Sequence, residues 1–153
     1  MLETFKRIFK TGESLSSKED QKRKLEVATC VVLLEAATAD SKLSKEESQK
    51  IIDLLKTKFQ MTDSSANELI EASKRERESS GLWPFTNLIN ENLSMDEKYD
   101  LMEMIWMVIY SDKTLDEFEN RVAHELLYLL RLDHPKFIEL KLKVKNASNI
   151  GSG

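Results

Sequence analysis

Apolar positions along this chain recur at helical spacing, and no stretch sustains the period-two alternation of a half-buried strand. In "MLETFKRIFK", Leu2, Phe5, Ile8 and Phe9 share one face, with Lys6, Arg7 and Lys10 elsewhere. The polar stretch "TGESLSSKEDQKRK" follows, and from Lys22 onward the helical signals are dense. "LEVATCVVLLEAATA" is apolar nearly throughout, with Leu25, Ala28, Val32 and Ala36 on one stripe and Val31 and Leu34 beside it. Such a helix has to be covered on several sides.

Start and stop signals divide the rest. Ser44 with Glu47 three residues on is an S-x-x-E capping box, and the apolar face behind it runs through Ile51, Ile52, Leu54 and Leu55 to Phe59. Thr62 and Asp63 open "SSANELIEASKRERESS", whose charged second half predicts a solvated face, and Gly81 and Pro84 end it. "WPFTNLINENL" reads as a short helix entered through Pro84, leaving Trp83 and Phe85 in or beside the link. Ser94 with Glu97 opens a second very apolar helix, "MDEKYDLMEMIWMVIYS". Asp116 with Glu119 opens "EFENRVAHELLYLL", and Asp133 caps a last helix with Pro135 in its first turn. The prediction is an all-α, single-domain bundle of about seven helices. Its expected divisions are an amphipathic segment and linker over 1–21, a helical domain over 22–145 and a tail over 146–153.

One pattern occurs twice. "ADSKLSKEE" (Ala39–Glu47) and "SDKTLDEFE" (Ser111–Glu119) each carry an Asp, an apolar residue three places on and a Glu seven places on. The offset is 112 − 40 = 72, and at that offset Leu34 meets Trp106, Ala36 meets Val108 and Leu55 meets Leu127. One deletion then brings Met61 onto Leu132. Each half is an apolar helix, an acidic turn and an amphipathic helix. Neither half covers its own apolar helix, so the halves must pack together, as a pseudo-twofold repeat would.

Composition narrows the setting. At 153 residues with 41% hydrophobic and 33% charged, the chain is long enough for one core without disulfide or metal staples. Four Gly and two Pro are too few for an all-β fold. A net charge of −4 argues against nucleic acid as a partner. Cys30 is the single cysteine and falls inside an apolar run, so a buried inert thiol and a reducing, cytoplasmic setting are expected. No run is of transmembrane length, and Met1 leads directly into "LETFKRIFK" without a signal-peptide pattern. That segment is either packed on the body or a peripheral contact with a membrane surface or a partner groove.

The turn A-D-x-x-L-x-x-x-E followed by "IIDLL", then the helix "MEMIWMVIYSD" and its own D-x-x-L-x-x-x-E, resembles the TerB-like tellurite-resistance family from about Leu25 to Leu140. The resemblance implies an all-helical, nonenzymatic module that acts with protein partners in tellurite and stress responses. It also implies a divalent cation on the acidic motif, which carries over to Asp40, Glu47, Asp112 and Glu119. Four converging carboxylates repel unless offset, and Ca²⁺ or Mg²⁺ is the hard cation they suit. The family usually has Gly after each Asp; Ser41 and Lys113 stand there, and the added charge of Lys113 marks the second turn as the poorer contributor.

The same residues suit a metal-free scaffold, because Glu47 and Glu119 are third-position cap residues and Leu43 and Leu115 plug each turn. Neither turn is an EF-hand: position twelve is Ile51 or Ala123, and no central Gly is present. His124 and His134 are ten apart with no further ligand at zinc spacing, and no phosphate loop or nucleophile motif occurs. No catalytic residue is expected. Because the "SSKED" cap near Ser17 restarts a helix, removing residues 1 to about 20 should leave the melting temperature nearly unchanged. A large drop in a thermal melt would place Leu2, Phe5 and Phe9 in the core instead.

Overall fold

The computed structural model describes residues 18–38, 43–112 and 117–152, with the side chains of 112, 117–119 and 149–152 left aside. The described residues form seven α-helices and no strand: α1 (Lys18–Ala37), α2 (Lys45–Phe59), α3 (Asp63–Ser80), α4 (Trp83–Asn92), α5 (Met95–Ile109), α6 (Glu117–Leu129) and α7 (His134–Ser152). A 3₁₀ turn, Tyr110–Asp112, continues α5. The chain is all-α, as its periodicity predicts. Helix α1 starts ahead of the boundary expected at residue 22, and α7 continues through the stretch expected as a tail. The segment before Lys18 lies outside the described residues.

Helix α1 is the axis. Every residue from Glu26 to Leu34 is buried, about two and a half turns without an exposed face. Five helices, α2 through α6, touch it. Helix α5, whose Leu101, Met102, Ile105, Trp106 and Ile109 are buried, packs directly on α1, so the two apolar helices cover each other. Helix α7 lies outside this layer against α5 and the 3₁₀ turn. There the fully buried Trp106 donates Nε1–H to the Phe137 carbonyl at 3.3 Å, and its ring lies 5.0 Å from that of Phe137.

Three predicted caps are in place, whereas the Asp116–Glu119 box and the cap near Ser17 lie outside the described residues. Ser44 and Ser94 each accept from the backbone N–H of the Glu three residues on, whose carboxylate accepts in return, and Thr62 accepts from Ser65 N–H. Two stops rest on residues other than glycine. Gln60 after α2 and Arg131 after α6 adopt the left-handed region, at φ 55° and 58°. Their turns close by Met61 N–H to Lys56 O at 3.2 Å and Leu132 N–H to Leu127 O at 3.0 Å. The separation, 131 − 60 = 71, is the repeat offset after its one deletion.

The charged end of α3 departs from the expected solvated face. Glu76 is buried, and Arg77 turns toward α1, donating to Thr38 Oγ1 at 2.6 Å with Glu35 at 3.8 Å. The helix packs on α1, so its inward positions are drawn out of solvent, and the Arg77 charge is met at the end of α1. Trp83 and Phe85 split: Trp83 is 66% exposed, whereas Phe85 is in the core.

Lys98 ties three helices. Buried at 5% exposure on α5, its Nζ donates to Leu130 O at 2.9 Å and to Asn90 Oδ1 at 3.2 Å, while Asn90 Nδ2 donates to Leu129 O at 2.8 Å. The carbonyls at the end of α6, which have no partner within the helix, are thereby satisfied. Burial, with the Arg131 charge added, holds the ammonium below its ordinary value of 10.5. Between that lowered value and 10.5 the unfolded chain keeps a proton the folded chain has shed, so this group makes stability rise with pH across that window. Lys98→Met should cost about 1–3 kcal/mol in urea unfolding at neutral pH by orphaning the Leu130 carbonyl. It should also remove the alkaline rise.

Candidate functional site

The first acidic turn ends at Ser44, the N-cap of α2. Ser44 N–H donates to Glu47 Oε1 at 3.0 Å, and Glu47 N–H to Ser44 Oγ at 3.0 Å. Glu47 is only 3% exposed, an unusual depth for a carboxylate in a first helical turn. Leu43 packs against the core from the same turn, as its place in the motif predicts. Asp40 lies outside the described residues. In the second turn the backbone of Asp112 closes the 3₁₀ turn and Glu119 belongs to the first part of α6; the side chains of both are outside the described set. Leu115 and Asp116 are outside it as well. Among the described residues, no three His, Cys, Asp or Glu side chains are grouped as metal ligands.

What the described backbone brings together is the start of the second turn and the helix opened by the first. The 3₁₀ turn packs on α2 and on α7. A groove of about 730 Å³ runs between them, bordered by Lys45 and Glu46 just after the first turn and by Tyr110 and Ser111 at the start of the second. Its lining is mostly apolar surface, to which Met107, Tyr110, Val144 and Ala147 contribute, and it includes Lys50 and Lys143. Lys143 is paired to Glu103 at 3.0 Å. Burial pushes the Tyr110 phenol above its ordinary value, so it stays a neutral donor at physiological pH. This groove has no motif in the sequence. Its walls come from three helices whose relation only the packing sets, and Met107 and Val144 read as ordinary helix residues.

The thiol of Cys30 is fully buried, and desolvation pushes it up to about 12. It is not a nucleophile at neutral pH, as its apolar surroundings predict. No helix among the described residues is long and apolar enough to cross a membrane.

An all-helical domain with an acidic turn after each of its two buried helices is the class this geometry defines. Residues 26–142 match the family described as Tellurite resistance protein TerB, and the chain belongs to that family. No curated protein and no solved structure matches the chain.

The two serine caps make a comparison of one motif in two settings. Glu97 is exposed, and the backbone and hydroxyl of Ser94 hold its carboxyl below its ordinary value. A depressed carboxyl contributes stability that is present above its unfolded value and lost as pH falls toward the folded one. Ser44→Ala and Ser94→Ala should each cost roughly 0.5–2 kcal/mol in chemical denaturation, with the larger loss at the buried Ser44–Glu47 cap. Ser94→Ala should also flatten the acid limb of the stability profile below about pH 5.

Proposed function

We propose that this TerB-family chain is a nonenzymatic helical module that binds a divalent cation through its duplicated acidic turns and serves a protein complex in tellurite and stress responses. The observation that carries the reading is the packing of the second turn's 3₁₀ start on α2, the helix that the first turn opens. Glu47 adds to it: its carboxylate is buried and already oriented by the Ser44 N–H, so one proposed ligand is held in place at the start of α2. Asp40, Glu47, Asp112 and Glu119 are the proposed ligands, with backbone carbonyls and water completing the shell. The mostly apolar groove beside both turns is the natural surface for a protein partner. A cytoplasmic setting suits the single buried thiol.

A second reading has an observation of its own. Glu47 already completes a capping box, so the acidic turns serve structure alone in a metal-free interaction module. Calorimetric titration with Ca²⁺ and Mg²⁺ separates the two. Cation binding predicts a raised melting temperature at saturation, weaker binding in Asp40→Asn, and a smaller effect of Asp112→Asn beside Lys113. The capping reading predicts no heat and no thermal shift from either ion.

A further inference from the structure

The chain has two histidines, and the fold puts them together away from the acidic turns. The rings of His124 on α6 and His134, the first residue of α7, lie 6.0 Å apart between centroids. Both rest on the buried ring of Phe137, His124 at 5.1 Å and His134 at 5.9 Å. His124 Nδ1 lies 2.9 Å from the Asn120 carbonyl. A carbonyl can only accept, so Nδ1 carries the proton and Nε2 presents its lone pair. This is the tautomer that a metal-bound imidazole adopts, its second nitrogen anchored by backbone. His134 is exposed and can turn. The nearest cation in sequence, Lys136, is engaged by Glu139 at 3.3 Å.

We propose that His124 and His134 form a two-histidine site for a borderline transition cation, Zn²⁺ in the first instance, that bridges α6 and α7. With Zn–N bonds of about 2.0–2.1 Å, two imidazoles on one tetrahedral ion have ring centres about 5 Å apart. The observed centroid separation of 6.0 Å is about 1 Å longer, so the site requires the exposed His134 to rotate a ring nitrogen toward His124 Nε2. Water fills the remaining positions, so this is an open site, weaker than a closed structural zinc. Cys30, the only thiol, is sealed in the core and cannot compete. The site shares no ligand with the acidic turns, and imidazole favours Zn²⁺ over Ca²⁺ or Mg²⁺. The ion would add a tie between α6 and an outer helix held mainly by α5 and the 3₁₀ turn.

The test is a titration of the full chain with ZnCl₂ in a non-coordinating buffer, read by calorimetry and by the imidazole NMR signals, of which there are only two. The expected result is one Zn²⁺ per chain, movement of both signals, a raised melting temperature, and no competition from excess Ca²⁺ or Mg²⁺. His134→Gln, at an exposed position, should fold normally and weaken Zn²⁺ at least tenfold; Asp40→Asn should not change it. His124→Gln should weaken it as much, with its metal-free melting temperature reporting any packing loss separately. Absence of binding, movement of one imidazole alone, full affinity in His134→Gln, or displacement by Ca²⁺ would each overturn the site.

Discussion

A helix with no exposed side has to be enclosed by others, and this molecule is arranged around that requirement. From Glu26 to Leu34 nothing on α1 reaches solvent. Its covering is drawn from both halves of the chain: α2, α3 and α4 before the second buried helix, then α5 and α6. A sequence that stopped after α3 would leave the α5 side of α1 bare. Cooperativity between the halves therefore follows from hydrophobic burial alone. The places where α1 and α5 end are fixed by the same packing, and these are where the acidic turns begin.

Much of this was legible in the residues, for identifiable reasons. Ser44, Thr62 and Ser94 cap where they were expected to, because a cap is a local hydrogen-bond pattern that needs no tertiary context. The depth of α1 was legible because apolar side chains on all faces leave no alternative to enclosure. The inward turn of Glu76 and Arg77 was not, since "KRERES" looks the same whether or not another helix lies one side of it. Lys98 was hidden for the same reason: its partners are the Asn90 side-chain amide 8 residues away and a backbone carbonyl 32 residues away, brought together only by packing. Of the four candidate ligands, Glu47 is the one whose side chain is described, with the backbone start of the second turn beside α2; Asp40 and the side chains of Asp112 and Glu119 lie outside the described residues. The groove escaped the sequence because its walls belong to α2, α5 and α7 together.

In the proposed cation site, Glu47 would serve two ends with one carboxylate. Its Oε1 is committed to the Ser44 amide, an arrangement that fixes the carboxylate's position and orientation. A ligand so held has little side-chain entropy left to lose when it binds an ion. Capping and coordination are therefore compatible roles rather than rivals, since a carboxylate has lone pairs enough for both. Burial adds to this by removing the water that would otherwise screen its charge.

The left-handed ends of α2 and α6 have a consequence of a different kind. Gln60 and Arg131 hold a backbone conformation that glycine enters without a Cβ clash, and other residues enter at a cost of roughly 1 kcal/mol. Neither position needs its side chain to close the turn, because the closing bonds are from backbone to backbone. The chain thus carries unused stability at two surface points, of the sort that selection leaves in place once a protein is stable enough to work. An engineer seeking a hardier form of this bundle could begin there with glycine, leaving the core, the groove and both acidic turns as they are.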